Sequence, residues 1–509
     1  MTRFYPLPTA IPHLPAGMLA LCGIALALLI CAVRLCYFTD YGSALPVWDQ
    51  WDGEGWNLYR PLLLGTFDFH TLIEPHNEHR IAIPRLIAAG LFQANREQWD
   101  AIPLVVVNAL IAGMTYAGFA LYLLRRFAAP VGLVLAVLTA LCALLAHGWE
   151  NFLHGFQTPF FTLLAATLAG IVWTSTARVR WHQPLVCALS STVAVFSLGS
   201  GLLLPPVLGF VLLLRWRDED GASRRWLAVT LALLAALTLI AFGQRAPLPL
   251  PSVSFEKLLS AAAVLLSWPL PSLGVFCLLP WAFTATGLWR VIRGTDGRPS
   301  SRAMAGLACW ALLQIASMAL VRGDGLTYVP SRYTDIVAFG MIANTYFALD
   351  FFIGSTATGL ALRFARAVFI ALGIFAVAAL GTHTGVAFAA MQQRSVEFNE
   401  QRVNVSAYLV TGDPAFLRDK PMFHLPYPSP ERLKAFLDDP TLRSTLHRHI
   451  FVTPAQPISA ALEQDPEMGP ASYAGREMLA ARKHIAAVAL LLLILAYAGI
   501  VWAKRENGA

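Results

Sequence analysis

Charged residues are scarce in this chain of 509 residues: 13% are Asp, Glu, Lys or Arg, whereas 57% are hydrophobic. Apolar stretches of about 20 residues, the length that crosses a bilayer core, recur along most of the chain. This excludes a string of water-soluble domains and predicts an all-α polytopic membrane protein. The net charge of +7 does not indicate a nucleic-acid partner, because most Arg residues fall in short connections between apolar stretches.

The sequence also lacks a disulfide framework, a nucleotide-binding loop and an internal repeat. All seven cysteines lie in or beside apolar stretches, and none has metal-site spacing with His. The polar segments contain no Gly-rich phosphate loop, and no repeat suggests a transporter built from two halves. No clear cleavage site follows the first apolar stretch, which we interpret as an uncleaved membrane helix.

Twelve apolar stretches are predicted to cross the membrane. They are residues 16–38, 103–123, 129–147, 158–176, 184–199, 201–215, 226–244, 272–291, 303–321, 335–353, 366–386 and 483–503. With this count, every connection that carries an Arg cluster falls on one side, which the positive-inside rule places in the cytoplasm. Both termini are then cytoplasmic, and the other connections face outward.

Three parts follow from this topology. Residues 1–386 are predicted to form a transmembrane bundle, in which 39–102 is the first outer loop. Residues 387–480 form a small outer segment that caps the bundle, and residues 481–509 hold the last membrane helix and a cytoplasmic tail. The first outer loop is predicted to contain interfacial helices whose tryptophans, Trp51 among them, are aromatic anchors at headgroup depth.

Three carboxylates follow the first predicted span within one short stretch. Asp49 and Asp52 are three residues apart, which on a helical turn places them on one face, and Glu54 is two residues further on. One of these carboxylates can act as a general base toward an acceptor hydroxyl. Asp49 and Asp52 can also bind a divalent cation through oxygen ligands. The alternative is that all three are solvated interfacial acids or helix caps.

Two further polar clusters lie in predicted outer connections. His76, Glu78, His79 and Arg80 belong to a polar run between two apolar stretches and can bind a metal or a phosphate. Glu150 lies where the third span leaves the membrane and is the best candidate for a second carboxylate. The alternatives are surface residues for the first cluster and a polar turn with an aromatic belt for the second.

Basic residues also occur on the predicted outer side, against the usual bias. Arg332 and Tyr333 stand at the start of a span, and Arg322 lies in the same connection. An Arg beside a Tyr at a helix N-terminus offers a phosphate a bidentate fork, a hydroxyl and free backbone N–H groups. The alternative is an ordinary Arg whose head group reaches the interface.

The order of these features resembles the GT-C superfamily of membrane glycosyltransferases. The stretch Trp48–Glu54 is similar to the acidic first-loop motif of that superfamily, and His76–Arg80 and Ser331–Tyr333 are similar to polar motifs of uncharacterised bacterial members. The resemblance implies an enzyme that moves a sugar from a polyprenyl-phosphate-linked donor to a glycan, lipid or protein acceptor. It also implies a place in a bacterial inner (plasma) membrane, with transfer at its outer face.

The resemblance further implies roles for the candidate residues. One of Asp49, Asp52 and Glu54 would be the catalytic acid, and basic residues would hold the leaving phosphate. Some members of the superfamily use a divalent cation such as Mg²⁺ or Mn²⁺, and others do not. The lack of a soluble nucleotide-sugar domain agrees with a lipid-linked donor.

Two other functions fit the same layout. A transporter or flippase of lipid-linked glycans also has about twelve spans, although the polar residues here concentrate in connections rather than within spans. A glycan polymerase or ligase would depend on the basic residues of the C-terminal outer segment. These are Arg394, Arg402, His424, Arg432, Arg443, His447, Arg448 and His449.

Overall fold

The computed structural model describes residues 16–176, 178–243, 254–272, 274–354, 359–447 and 468–506. Over these ranges the chain is helical and has no β-strand beyond isolated bridges. The α-helices, in chain order, are α1 (Ala16–Tyr41), α2 (Arg60–Leu63), α3 (Phe69–Ile73), α4 (Ala82–Ala94), α5 (Ile102–Arg126), α6 (Ala129–Leu144), α7 (Thr158–Thr176), α8 (His182–Val195), α9 (Leu204–Arg215), α10 (Gly221–Gly243), α11 (Phe255–Ser267), α12 (Ala282–Arg293), α13 (Pro299–Arg322), α14 (Ser331–Gly354), α15 (Leu360–Thr411), α16 (Pro430–Asp438), α17 (Pro440–Thr445) and α18 (Pro470–Glu506).

Eight helices in the described ranges are long and apolar enough to cross a membrane: α1, α5, α7, α10, α13, α14, α15 and α18. The other four predicted spans correspond to the shorter helices α6, α8, α9 and α12, which have 16, 14, 12 and 12 residues. A 3₁₀ turn, Gly199–Leu203, precedes α9, and a 3₁₀ segment with an internal proline, Gly274–Trp281, precedes α12. The chain is therefore a helical membrane protein, and its twelve-span topology stays a prediction.

Helices α13 and α14 show that the bundle has two different ends. Near one end, Arg298 pairs with Asp350 at 2.7 Å, and Arg302 pairs with Asp218. The opposite ends of the same two helices carry Arg322 and Arg332. Since each helix has 24 residues, these ends lie ~36 Å apart. Arg298 and Arg302, which are predicted to be cytoplasmic, thus lie at the opposite end from Arg322 and Arg332, which are predicted to face outward.

Among the described residues, the two largest of four hydrophobic cores organise the chain. The main core lies among α5, α6, α7, α9, α13 and α14, where Trp310 and Phe339 are fully buried. The second core joins residues 45–104, all but the last of its members from the predicted first outer loop, to residues 405–446 of the predicted outer segment. Although these two segments are far apart in the sequence, they fold as one unit above the bundle.

The second core and helix α15 each correct one expectation. Trp51 is not an interfacial anchor: it is fully buried, its Nε1–H donates to the carbonyl of Pro46 at 2.8 Å, and its ring stacks on Phe436 with centroids 6.1 Å apart. The boundary at residue 386 falls inside α15, which continues without interruption from the bundle to Thr411. The outer segment therefore begins as the extension of a membrane helix, and its residues 448–467 lie outside the described ranges.

Candidate functional site

A cavity of about 870 Å³ lies at the end of the bundle opposite the Arg298–Asp350 pair. It is bounded by the segments after α1 and α6, the ends of α8, α10 and α13, and the start of α14. The predicted site residues that line it are Asp49, His76, Glu78, His79, Arg80, Glu150, Arg322, Arg332 and Tyr333. Asp52 and Glu54 are not among its lining residues. One cavity thus collects the predicted polar clusters but only one of the three acids.

Asp49 reaches the cavity because the backbone turns sharply just before it. Trp48 has a φ of 53°, a left-handed conformation that is costly for a bulky side chain. Its N–H donates to the carbonyl of Pro426 at 2.6 Å, so the outer segment holds this strained turn in place. Backbone strain of this kind concentrates at functional sites. The turn leaves the side chain of Asp49 53% exposed on the cavity wall.

The environment of Asp49 favours its ionised form. Burial acts to raise the pKa of this carboxyl, but the nearby His76 outweighs it and lowers the pKa below its ordinary value. The Oδ1 of Asp49 lies 3.8 Å from the Nε2 of His76. Asp49 is therefore ionised at neutral pH, and the distance to His76 leaves its carboxylate able to accept a proton from a substrate.

Asp52 leaves the cavity side because a π-helix, Trp51–Tyr59, begins two residues after Asp49. Its i→i+5 hydrogen bonds widen the turn, so residues three apart do not share a face as they do in an α-helix. Asp52 accepts hydrogen bonds from the hydroxyl of Tyr427 and, at 3.0 Å, from Arg432. The expectation that Asp49 and Asp52 share one face is corrected by this geometry.

Glu54 lies inside the protein, at the edge of the second core. It is 5% exposed, and the Nε2–H of Gln50 donates to its Oε2 at 3.0 Å. Burial raises the pKa of Glu54 to about 7. Its surroundings, which include Tyr59 and Trp99, give a substrate no approach. Glu54 is thus a structural residue in this fold and not a group that can meet an acceptor.

A divalent cation does not fit these acids. Asp52 is already held by Tyr427 and Arg432, and the side chain nearest to the carboxylate of Asp49 in an ion-pair geometry is the imidazole of His76, at 3.8 Å. In the described part of the chain, no three His, Cys, Asp or Glu side chains form a group that could hold a metal ion. The predicted Asp49–Asp52 metal site is therefore not supported by the arrangement of its ligands.

The loop with the predicted His–Arg cluster is a rigid turn. The backbone of His76 and His79 exchanges two hydrogen bonds, of 2.7 and 2.9 Å, around Asn77, whose φ of 52° is one that Asn tolerates. Below the turn, the buried Arg85 of α4 donates to the carbonyl of Glu74 at 2.6 Å. These contacts hold the backbone from which the side chains of His76 and His79 extend.

Glu78 connects this loop to the end of α13. Its carboxylate pairs with Arg322 and lies 3.7 Å from the Nε2 of His79. The backbone N–H of Gly199 donates to the Nδ1 of His79 at 3.2 Å, so the proton of the neutral ring is on Nε2, toward Glu78. Burial lowers the pKa of His79, although Glu78 opposes this effect. Arg322 is thus committed to a carboxylate within the cavity wall.

Arg332 is held more loosely. Its Nη1 is 3.6 Å from the Oε1 of Glu150, its guanidinium lies 5.2 Å from the ring centroid of Tyr333, and 43% of its side chain is exposed. The other oxygen of Glu150 accepts the backbone N–H of Arg332 at 3.2 Å and the hydroxyl of Ser331. The predicted free N–H groups at this helix start are therefore partly taken, whereas the guanidinium remains accessible.

The outer segment supplies one basic residue that was predicted only for a polymerase or ligase. Arg394 of α15 lines the cavity, pairs with Glu397 at 2.8 Å and lies over the ring of Phe423. Arg432 and Arg443 point elsewhere, the first to Asp52 and the second to the carbonyl of Leu409. Arg448 and His449 lie outside the described residues. The observed basic lining is thus mostly that of the bundle.

One part of the cavity lining is apolar. Val195 of α8, Leu237 and Ile240 of α10, and Met318 and Val321 of α13 line it. Helix α10 also carries an exposed apolar surface, and Ile240 itself is 61% exposed. The cavity therefore joins a charged half to a half that suits a hydrocarbon chain.

Comparison with protein-family models gave no match, and comparison with curated protein sequences gave no significant match. Neither comparison assigns a family to this chain. A function has to be inferred from the cavity, from its charges and from the resemblance of its motifs.

Proposed function

We propose that this chain is a membrane glycosyltransferase of the GT-C type, which moves a sugar from a polyprenyl-phosphate-linked donor to a glycan, lipid or protein acceptor. One observation carries the proposal: Asp49 and Arg332 line the same cavity. Transfer of a sugar from a phosphate to a hydroxyl needs a base for the hydroxyl and a cation for the leaving phosphate. An ionised, half-exposed carboxylate and an accessible guanidinium meet both needs.

In the proposed reaction, Asp49 accepts the proton of the acceptor hydroxyl as the hydroxyl oxygen attacks the anomeric carbon. The bond from that carbon to the donor phosphate oxygen breaks, and its electron pair leaves with the phosphate. Arg332 and the hydroxyl of Tyr333 bind the phosphate as its charge grows, which is where such contacts lower the barrier. His76 keeps Asp49 ionised beforehand, since it lowers the pKa of that carboxyl.

The apolar wall gives the donor lipid its place. Side chains of α8, α10 and α13 would contact the polyprenyl chain, and the charged half would hold the phosphate and the sugar. In this proposal the shorter helices α6, α8, α9 and α12 complete twelve crossings. The cavity end faces outward, and the Arg-rich end with both termini faces the cytoplasm, as the positive-inside rule favours.

Donor binding can be tested before the sugar is known. Protein in lipid nanodiscs is irradiated with a photoactivatable polyprenyl phosphate, and the cross-linked peptides are mapped. We expect labels on α8, α10 and α13, and competition by unlabelled polyprenyl phosphate. Labels that are spread evenly over the exposed faces of α15 and α18 would contradict a donor site in the cavity.

Transfer is then tested with a panel of polyprenyl-phosphate sugars and membrane extracts as acceptors. Release of free polyprenyl phosphate is expected from wild-type protein and from Glu54→Gln, but not from Asp49→Asn. Movement of the donor across a vesicle membrane without loss of its sugar would instead identify a flippase.

A further inference from the structure

A buried ion pair lies below the cavity. Arg34 of α1 is 2% exposed, and its Nη2 is 3.7 Å from the Oδ1 of Asp335 in α14. Its guanidinium is surrounded by rings, with the centroids of Phe161 and Phe152 at 5.0 and 5.3 Å. A charge within a membrane bundle is costly and is usually retained for a function.

The partners of Asp335 connect this pair to the proposed donor site. The hydroxyl of Tyr116 donates to Oδ1 of Asp335 at 2.7 Å, and the amide of Asn151 donates to Oδ2 at 2.7 Å. The same amide nitrogen of Asn151 donates to the carbonyl of Arg332 at 3.0 Å. Asn151 therefore holds the first turn of α14, which carries Arg332, against the segment that carries Glu150.

Four of the side chains around this pair have buried polar atoms with no hydrogen-bond partner among the described residues. These atoms are Nε and Nη1 of Arg34, Oδ1 of Asn108, Oδ1 of Asn151 and Nδ1 of His154. All four side chains line one small cavity with a volume of about 10 Å³. A cavity of roughly 10–15 Å³ with two to four polar partners holds one water molecule.

The donors and acceptors around this cavity match one water. The amide nitrogens of Asn108 and Asn151 already donate, to the carbonyls of Gly155 at 2.8 Å and Arg332 at 3.0 Å, so their Oδ1 atoms accept. Burial lowers the pKa of His154 to about 4, so its ring is neutral at physiological pH. Since the amide nitrogen of Gln157 lies 3.2 Å from its Nε2, the ring proton is on Nδ1.

We propose that one internal water occupies this cavity, accepts hydrogen bonds from Arg34 and His154 and donates to the Oδ1 atoms of Asn108 and Asn151. An anion does not fit the cavity, because the amide oxygens of Asn108 and Asn151 face it. A cation does not fit either, because the guanidinium of Arg34 also faces it. The water links His154 to Asn151 and so fixes the amide that holds the first turn of α14. Asn108 and Asn151 are then positioning residues for Arg332, a role that rests on the proposed function.

Ordered water is tested directly by cryo-electron microscopy of the protein in nanodiscs, at a resolution that shows waters. The wild-type map is expected to contain one isolated peak within hydrogen-bond distance of Arg34, Asn108, Asn151 and His154. A map in which Arg34 bonds directly to Asn108 or Asn151, with no peak between them, would overturn the inference.

The positioning role is tested with Asn108→Leu, which fills the cavity and removes both the acceptor of the water and the donor to the carbonyl of Gly155. We expect the peak to vanish and the affinity for photoactivatable polyprenyl phosphate to fall about fivefold, as for one lost hydrogen bond. Thr167→Val is the matched control, because Thr167 is buried in α7 and its Oγ1 has no partner among the described residues. Loss of the peak with unchanged affinity would overturn the positioning role.

The two arms separate this inference from the proposed function. If the water is present but neither wild-type protein nor Asn108→Leu binds the polyprenyl phosphate in the cavity, the water site stands and the glycosyltransferase proposal fails. If Asn108→Leu does not fold, the wild-type map still decides whether the water exists, and Asn108→Ala, which removes the same acceptor with a smaller side chain, replaces it in the affinity measurement.

Discussion

The cavity and the second core meet at residues 48–54, and the charged groups on the two sides differ in their distances to their partners. On the cavity side, Asp49 is 3.8 Å from His76, and Arg332 is 3.6 Å from Glu150. On the core side, Asp52 is bound at 3.0 Å by Arg432. Pairs beyond hydrogen-bond distance leave their donors and acceptors available to a substrate, whereas pairs at 3 Å or less tie two segments together.

The same difference ranks the candidate residues within the cavity. Arg322 pairs with Glu78 and Arg394 with Glu397, so a phosphate would have to displace a carboxylate from either. Arg332 has the weaker pairing and a large exposed fraction. Asp49 and Arg332 are therefore the candidates for chemistry, because their charged groups remain available to a substrate.

The largest expected effect is that of Asp49→Asn. It removes the proposed base while it keeps the size of the side chain, so the rate of sugar transfer should fall by ~10²–10⁴-fold. The melting temperature should change little, because half of this side chain is exposed. Initial rates with saturating donor and acceptor, together with thermal unfolding, measure both effects. Wild-type turnover in this variant would remove Asp49 from the mechanism.

Glu54→Gln tests the core side of this comparison, where the carboxyl group is buried. The folded pKa of Glu54, about 7, lies above the ordinary value of 4.5, so the folded protein keeps a proton that the unfolded chain releases between these values. Stability should therefore fall as pH rises from about 4.5 to 7 and then level off. Gln removes this dependence and should stabilise the protein by up to about 3 kcal/mol above pH 7.

Thermal unfolding across that pH range measures the effect of Glu54→Gln, and transfer activity at neutral pH should be unchanged. A pH slope equal to that of wild type would mean that Glu54 is not buried in its carboxyl form. Loss of transfer would mean that the cavity depends on this carboxylate after all.

The sequence predicts the clustering at the cavity because of a simple property of antiparallel spans. Alternate connections return to the same end of a bundle, so His76, Glu150, Arg322 and Arg332 were expected on one side before any contact was known. All four residues line one cavity, which agrees with that expectation. The apolar stretches likewise predict the long helices, whose length and hydropathy are local properties of the sequence.

What the sequence did not predict depends on distant or unusual contacts. The π-helix that separates Asp49 from Asp52 has no propensity signal, and Trp51 is buried by Phe436, which is far along the chain. Two local signals in the sequence indicate such features. Arg34 is a charge inside an apolar span, and Gly412, with a φ of 72°, ends α15.

Arg332→Ala tests the accessible cation on the cavity side. Loss of a charge-assisted contact to phosphate should weaken binding of photoactivatable polyprenyl phosphate by about tenfold. Arg332→Lys should also impair binding, because an ammonium cannot form the bidentate fork. The matched control is Arg224→Ala, an exposed Arg at the other end of the bundle. Unchanged affinity in Arg332→Ala would shift the phosphate site to Arg322 or Arg80.

The smallest effect is expected for Asp52→Asn, the neighbour that the π-helix turns away from the cavity. Its side chain and that of Arg432 are 25% and 40% exposed, and an ion pair of this kind contributes about 1 kcal/mol or less. Asn still accepts the hydrogen bond of Tyr427, so the melting temperature should fall only slightly and transfer should stay within about twofold of wild type. Arg432→Gln is the matched control, and the double variant should be no less stable than either single variant. If Asp52→Asn instead abolishes transfer while Asp49→Asn does not, then Asp52 is the base, and the outer segment must move away from it during the reaction.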